Sequence, residues 1–165
     1  MYKAIVAIDN NRVMWDSGSN NLPWRFSKDF KWFKDNTIWE NIIMGRKTRE
    51  SLWNKPLPDR NNIIISQTLK NNIEGVTVYN TIEQLIDIVK TWYVIWWAEV
   101  FRLFSEKNLL DEVLITHIDG TRDGDIILPD IEKDMKTISQ HTTQDIDKKD
   151  IDKKKYKLDF ITYGK

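Results

Sequence analysis

The sequence predicts an α/β fold: one domain over residues 1–165 with a central, mostly parallel β-sheet flanked by helices. Short apolar runs rich in β-branched residues alternate with segments of helical periodicity. This alternation is typical of parallel sheets whose strands are buried on both faces. A chain of 165 residues is also in the size range of a single domain, and it can bury roughly 70% of its unfolded surface.

Six apolar runs predict buried strands: residues 2–8, 42–44, 63–65, 76–78, 93–95 and 113–115. A seventh strand is predicted over 156–162, where apolar and polar side chains alternate. Alternation indicates a strand with one face exposed. We therefore expect this C-terminal strand to be antiparallel and to lie at an edge of the sheet.

Helical patterns lie between several of these runs. Phe30 and Phe33 predict an apolar face for a helix over 27–36. Apolar residues at 82, 85, 86 and 89 follow the spacing of a helix face, behind the capping box of Thr81 and Gln84. A third helix is predicted over 98–104.

Composition excludes several classes of function. The 25 basic and 25 acidic residues give no net charge, so we expect neither nucleic-acid nor membrane partners. The absence of cysteine excludes disulfides, thiolate metal sites and a cysteine nucleophile. The first residues form too short an apolar run for a signal peptide, and nothing approaches the ~20 apolar residues of a membrane span. We expect a cytoplasmic protein.

Residues 145–155 repeat the sequence Asp-Ile-Asp-Lys-Lys. The acidic spacing suggests calcium, but the glycine and terminal glutamate of an EF-hand loop are missing. We therefore expect a solvated loop before the last strand, and no metal.

Asp29 is the first candidate for chemistry. On a helix over 27–36 it projects beside Phe33, four residues on, which places a carboxylate next to an aromatic ring. By itself, an aspartate in a first helical turn usually complements the helix dipole. The neighbouring Leu22-Pro23-Trp24 favours a site instead.

Two basic segments are the other candidates. Gly45-Arg46-Lys47-Thr48 follows a strand and opens a helix, an arrangement whose backbone amides bind phosphate. The alternative is a basic helix start on the surface. Arg60 follows the turn Pro56-Leu57-Pro58 and is suited to clamping a carboxylate, although a loop arginine is commonly just solvated.

In this order, and with Thr116-His117-Ile118-Asp119 near the end, these motifs resemble dihydrofolate reductases across nearly the whole chain. The resemblance implies NADPH-dependent reduction of 7,8-dihydrofolate to tetrahydrofolate for one-carbon metabolism, by a monomer that antifolates also bind. It implies that Asp29 grips the amidine-like edge of the pterin and favours protonation beside the C=N bond that accepts hydride. Thr116 would support the same edge, and His117 is expected to be structural.

The resemblance also assigns three sets of residues. The catalytic set is Leu22, Trp24, Asp29 and Thr116. The substrate set is Ile5, Ala7, Asp29, Phe30, Phe33, Leu52, Leu57, Arg60, Ile95 and Thr116. The cofactor set is Ala7, Met14, Gly45, Arg46, Lys47, Thr48, Ile65, Ser66, Gln67, Ile95, Trp96, Trp97, Ala98, Glu99, Val100 and Phe101. Residues 15–21 fall where the family has a mobile loop over the nicotinamide, and motion of such lids often sets turnover.

Six of the eight tryptophans stand where the resemblance predicts glycine. They are Trp15, Trp39, Trp53, Trp92, Trp96 and Trp97. At the last two, the family has a Gly-Gly pair joined by a cis peptide against the cofactor. Two indoles are expected to fill that space and to resist a cis bond, which costs ~2.5–4 kcal/mol even between small residues.

Composition favours the explanation that these tryptophans arose when the gene was translated with the wrong genetic code. The alternatives are that the chain is a divergent, inactive relative or that the tryptophans are deliberate changes. The chain is rich in Lys, Asn and Ile, as AT-rich genes are, and UGA encodes glycine in some genetic codes and tryptophan in others. Translation with the wrong table would convert some glycines and leave others, such as Gly45, unchanged. Trp24 and Trp32 fall where the family itself has tryptophan.

Two other functions remain open at this point. In a non-catalytic folate-binding relative, Asp29 and Arg60 would hold the ligand while Trp96 and Trp97 exclude NADPH. The reductase of riboflavin synthesis shares the fold, but it gives no reason for Leu22-Pro23-Trp24 together with Asp29.

Overall fold

A computed structural model describes residues 1–70, 72–96 and 98–165. The predicted contribution of Trp97 to a cofactor site therefore lies outside the described residues. The elements in chain order are β1 Tyr2–Ile8, β2 Val13–Trp15, α1 Ser27–Thr37, β3 Asn41–Gly45, α2 Arg46–Ser51, β4 Asn61–Ile65, β5 Val76–Tyr79, α3 Ile82–Ile88, β6 Trp92–Ile95, α4 Ala98–Glu106, β7 Glu112–Ile118, β8 Ile126–Ile127, β9 Lys136–Ile146 and β10 Lys155–Gly164.

The central sheet has eight strands in the order β5-β4-β3-β6-β1-β7-β10-β9. All six predicted apolar runs are strands, and the pairs that join them are parallel. The mostly parallel α/β fold is thus confirmed. Strand β10 is antiparallel to β7, as predicted.

The expected edge position of β10 is wrong, because the edge is formed by β9, which pairs with β10 and which the sequence pattern did not predict. The first seven residues of β9 are all exposed, and only Thr143 and Asp145 are partly buried. A strand without a buried face has no hydrophobic alternation to reveal it. The small antiparallel pair β2–β8 was also missed, because β8 is only two residues long.

Helix α1 matches its prediction in extent but not in the face that it buries. Its buried residues are Asp29, Phe33 and Thr37, spaced four apart. Phe30 was expected to share the apolar face with Phe33, yet it is 39% exposed. The expected Phe30–Phe33 face is therefore wrong.

The other helix predictions are confirmed. Thr81 caps α3 by accepting a hydrogen bond from the Gln84 amide (3.3 Å), and the Gln84 side chain accepts one from the Asn80 amide (3.1 Å). Helix α4 buries Val100, Phe101 and Phe104. Among the described residues, no helix is long and apolar enough to cross a membrane.

The buried side chains form two hydrophobic clusters. The larger contains Trp24, Phe26, Trp92, Phe101 and Phe104. The smaller is built from Phe33 of α1 and strand residues that include Ile5 and Ile95, with Leu52, Leu57 and Trp96 packed against it. The smaller cluster provides the apolar walls of the candidate site.

The expectation of a solvated loop over 145–155 is wrong at its start. Residues 145 and 146 belong to β9, and Asp147 is buried. The Asp147 carboxylate accepts hydrogen bonds from the amides of Arg25 (2.9 Å) and Lys149 (3.0 Å), and it lies 3.5 Å from Nε of Arg122. Burial is tolerated because the charge is paired and hydrogen-bonded.

Trp39 and Trp53 lie on the surface in a strained backbone conformation. Their φ angles are 65° and 59°, and they are 75% and 85% exposed. A left-handed conformation costs roughly 1–2 kcal/mol for a residue with a Cβ atom and much less for glycine. An exposed indole makes few packing contacts that could offset this conformational cost.

We expect Trp39→Gly and Trp53→Gly each to raise the free energy of unfolding by about 1 kcal/mol, since strain is removed and little packing is lost. Urea unfolding measures the change. The matched controls are Trp39→Ala and Trp53→Ala, which remove the indole but keep the Cβ atom. Equal effects of glycine and alanine would contradict the strain explanation.

Candidate functional site

A cleft of about 590 Å³ opens where the parallel strands end. Strands β3 and β4 contribute their final residues, Gly45 and Ile65, and Trp96 follows the end of β6. The carboxyl ends of strands are the usual ligand-binding edge of an open α/β sheet. The full lining is Trp15, Ser17, Asn20, Gly45, Arg46, Lys47, Thr48, Glu50, Ile65, Trp96, Ala98, Glu99 and Ile126.

Asp29 is buried on the sheet-facing side of α1. Burial raises the pKa of its carboxyl to about 6, while the hydroxyl of Thr116 on β7 acts in the opposite direction. Thr116 is itself buried and is paired with Ala7 across β1 and β7. The structure thus brings Asp29 and Thr116 together, as the resemblance implied.

The raised pKa makes Asp29 destabilising at neutral pH. Since the folded carboxyl binds its proton more tightly than the unfolded one, its stabilising effect is complete below about pH 3.8 and is lost as the pH rises through about 6. We expect Asp29→Asn to raise the free energy of unfolding above pH 6 by about 1–3 kcal/mol.

Denaturation at a series of pH values tests this expectation. The advantage of Asp29→Asn should be small at pH 4 and constant above pH 7. The control is Asp35→Asn on the exposed side of the same helix, where Asp35 pairs with Lys31. A gain that does not change with pH would contradict the assignment of the raised pKa to Asp29.

The walls beside Asp29 are apolar. Ile5 and Ile95 are register partners on β1 and β6, and both lie in the smaller cluster with Phe33. Leu52 and Leu57 pack against the same cluster from the segment after α2. These five predicted substrate residues are brought together, whereas Phe30 is outside the cluster and 39% exposed.

Arg60 lies at the rim of this apolar region. Its guanidinium is 5.7 Å from the ring centre of Phe33. Its Nε donates to Oγ1 of Thr37 (3.2 Å) and its Nη1 donates to the carbonyl of Pro58 (2.9 Å). Burial lowers the pKa of Arg60, and none of these described partners is a carboxylate.

Leu22 and Trp24 lie in the larger cluster rather than with the walls around Phe33. Both are buried. Among the described residues, Nε1 of Trp24 is a buried donor with no hydrogen-bond partner. Such a donor is unfavourable unless water or a ligand satisfies it, so Trp24 has hydrogen-bonding capacity to offer.

The predicted cofactor residues fall into three groups. Gly45 to Thr48, Ile65, Ala98 and Glu99 line the cleft. By contrast, Met14, Val100 and Phe101 are core residues at 0%, 3% and 0% exposure, so their side chains are shielded and only backbone groups could meet a ligand. Ser66 and Gln67 lie outside the lining of the cleft, and Oγ of Ser66 accepts hydrogen bonds from the amides of Thr68 and Leu69 (3.3 and 3.2 Å).

Charge in the cleft is mixed. Arg46 pairs with Glu50 at 2.5 Å within α2, and Lys47 is exposed. Glu50 was not predicted, although its position four residues after Arg46 was a sequence signal for this pair. Glu99 adds a second carboxylate to the lining.

The segment 16–21 lies beside this cleft, as expected of a lid. The Ser17 amide donates to Asp125 (2.8 Å), and the Ser17 hydroxyl donates to the same carboxylate. Nδ2 of Asn20 donates to the Lys47 carbonyl (3.4 Å). Ser17 and Asn20 belong to the loop that the resemblance placed over the cofactor but were not named as lining residues, and Ile126 was missed because no local pattern brings the distant β8 to this cleft.

Trp96 separates the cleft from the apolar walls. Its indole stacks on Phe33 with ring centres 4.7 Å apart and an interplanar angle of 20°, and it also lies 6.3 Å from the Trp15 ring. The backbone of Trp96 is left-handed, with φ of 43°, and its carbonyl accepts a hydrogen bond from Thr48 Oγ1 (3.1 Å). A ligand that extends from the cleft towards Asp29 must displace this indole.

Comparison with known proteins identifies one family. The sequence model described as dihydrofolate reductase matches residues 1–165. The dihydrofolate reductase of Bacillus subtilis is 32% identical over 171 aligned positions, covering 100% of this chain and 95% of the relative. That of Haemophilus influenzae is 34% identical over 133 positions, covering 79% of each chain.

A solved structure agrees with these relatives. It is the dihydrofolate reductase of Enterococcus faecalis in complex with NADP(H) and RAB-propyl. Its TM-score with this chain is 0.85 at 27% identity, and the match covers 99% of this chain and 95% of that one.

Proposed function

The chain belongs to the dihydrofolate reductase family, and from this premise we propose the roles of its residues. The activity is the NADPH-dependent reduction of 7,8-dihydrofolate to 5,6,7,8-tetrahydrofolate. The observation that supports the residue assignment best is Asp29, a buried carboxyl with a pKa of about 6 beside Thr116. It lies on the buried face of α1 with Phe33, whose cluster supplies apolar walls for a flat heterocycle.

Asp29 performs the polar part of substrate recognition. A carboxylate can accept two parallel hydrogen bonds from an amidine-like edge, and a buried one does so without competition from water. The Asp29 carboxyl also has a pKa of about 6, which lies within one unit of neutral pH, so it can bind and release a proton near neutral pH. It therefore favours protonation of the nitrogen beside the C=N bond, which reduction requires.

The substrate lies along the smaller cluster with its tail at Arg60. Ile5, Phe33, Leu52, Leu57 and Ile95 contact the apolar faces of the ring system. The Arg60 guanidinium retains donors for a carboxylate, since its described partners use only Nε and one donor of Nη1. Inhibitors with the same flat, cationic edge compete at Asp29, which accounts for the expected antifolate binding.

The residues of the cleft fit NADPH. The volume of about 590 Å³ is in the usual range for ligand sites. Arg46 and Lys47 supply charge for phosphates, and backbone amides from Gly45 to Thr48 supply donors. The cofactor contributes the hydride. Among the described lining residues, the indole of Trp96 opposes this fit by its position.

Neither alternative function is favoured. The family match and the relatives point to dihydrofolate reduction rather than to a pyrimidine of riboflavin synthesis. With Trp96 in place the cleft still measures about 590 Å³, so the indole narrows the way to Asp29 without filling the cleft. We further propose that residues 1–165 act as one domain, as a monomer and in the cytoplasm; the single domain is supported by one family model that spans all of these residues.

The activity is tested by following NADPH absorbance with dihydrofolate as the varied substrate. We expect consumption of NADPH that depends on dihydrofolate and that an antifolate blocks. Consumption with a riboflavin-pathway pyrimidine but not with dihydrofolate would overturn the proposed substrate.

We expect Arg60→Ala to weaken folate binding about 10- to 100-fold, the value of a lost charge-assisted pair, and to leave a pterin without the glutamate tail nearly unaffected. Calorimetric titration with both ligands makes the comparison. The control is Arg102→Ala, because Arg102 pairs with Glu106 on the exposed side of α4. Equal losses for the two ligands would remove Arg60 from the tail site.

A further inference from the structure

The first turn of α1 is capped by a carboxylate from β9. The N-cap residue Phe26 offers no side-chain acceptor. The Lys28 amide instead donates to Oδ2 of Asp145 at 2.8 Å, across 117 positions of sequence. Amides in a first turn have no intrahelical partner, so an acceptor at this point stabilises the helix start.

Two further hydrogen bonds join the same turn to β9. The Lys28 ammonium donates to Oγ1 of Thr143 (2.9 Å) and to the carbonyl of Gln144 (2.7 Å). Three contacts from β9 therefore hold the residue that immediately precedes Asp29. A shift of this turn would move the Asp29 carboxyl relative to Thr116 on β7.

Asp145 also acts on Asp29 electrostatically. Burial is the main reason for the raised pKa of Asp29, and the negative charge of Asp145 acts in the same direction. Three other charged or titratable groups near this face have described partners of their own. Lys28 bonds to β9, Arg60 bonds to Thr37, and the His117 ring is hydrogen-bonded to Tyr163 (3.0 Å).

We propose that Asp145 is a positioning residue for Asp29: its carboxylate fixes the first turn of α1 and places a negative charge near the Asp29 carboxyl. A negative group at a helix N-terminus normally serves only the helix. Here the capped turn carries the residue that we assign to the pterin, so the inference rests on that assignment. The exposed strand β9 thereby contributes to the site from the outer edge of the sheet.

Three variants of the ligand-free protein test the proposal. Asp145→Asn keeps an acceptor for the Lys28 amide and removes the charge, whereas Asp145→Ala removes both. The control is Asp152→Asn, an exposed residue of the same hairpin. Carboxyl carbon NMR follows the titration of Asp29 in each variant, and thermal unfolding reports the integrity of the cap.

We expect Asp145→Asn to move the Asp29 titration midpoint to lower pH and to change the melting temperature little. Asp145→Ala should also lower the melting temperature by several degrees, as loss of a cap does. Asp152→Asn should match the parent. An unmoved Asp29 midpoint in Asp145→Asn would overturn the proposal. If the Asp29 midpoint moves in Asp145→Asn, the proposal for Asp145 is supported. If the pH profile of turnover does not move with it, that result counts against the catalytic role of Asp29 and not against the role of Asp145.

Discussion

Replacing Asp29 with asparagine is expected to lower hydride transfer at neutral pH by ~10²–10⁴, the usual loss when a group that assists proton transfer is removed. Asparagine has nearly the same shape, and it can still accept one hydrogen bond from the pterin. It cannot hold and pass on the proton that the nitrogen beside the C=N bond must receive. Stopped-flow measurement in a background with glycine at positions 96 and 97 isolates this step from cofactor binding.

The pH dependence gives a second measure of the same residue. Because the pKa of Asp29 is raised to about 6 by burial, its protonated fraction falls as the pH rises through that value. The parent rate should fall over the same range, and the Asp29→Asn rate should not. Asp35→Asn on the same helix should behave like the parent. A rate within a few-fold of the parent for Asp29→Asn would remove Asp29 from the chemistry.

The elements that sequence predicted correctly are those with a local physical signature. Strand β1 is a continuous apolar run because both of its faces are buried. The start of α3 is marked in the sequence by the capping residues Thr81 and Gln84. Asp29 and Phe33 share the buried face of α1 because they are four residues apart. In each case, the information lies within one or two helical turns or one strand.

The missed features depend on partners that are distant in the chain. Strand β9 exists because β10 offers it an edge, and its exposed residues carry no apolar period. Asp147 is buried because Arg25 and Arg122 satisfy it. Phe30 could not be separated from Phe33 by spacing alone, since residues three apart also share a helix face.

Backbone conformation supports the interpretation that glycine is the expected residue at three of the six unexpected tryptophans. Trp39, Trp53 and Trp96 all have left-handed φ angles of 65°, 59° and 43°, a region that suits glycine and strains residues with a Cβ atom. Trp24 and Trp32, where tryptophan was expected, are not among the described residues with positive φ. Trp15 and Trp92 lie in strands, so their backbone conformation does not distinguish the two residue types.

Replacing Trp96 and Trp97 with glycine is expected to tighten NADPH binding by roughly 30- to 700-fold. In the present chain, a ligand that reaches from the cleft to the Asp29 region must first remove the Trp96 indole from its stack on Phe33. That displacement loses an aromatic pair and the burial of a large ring, together about 2–4 kcal/mol. Fluorescence titration with NADPH measures the gain, and Trp96→Gly alone should give most of it.

Trp39→Gly is the control, because it also relieves a left-handed φ but lies outside the cleft. It should change stability and leave the Kd for NADPH unaltered. Equal affinity before and after Trp96→Gly would show that the indole moves aside freely, and the steric argument would then be wrong.

The intact mass of the protein from its native host decides the origin of the six residues. A mass that matches glycine at all six positions would establish misassigned codons, whereas a mass that matches six tryptophans would exclude them and make the indole at Trp96 a feature of the native site.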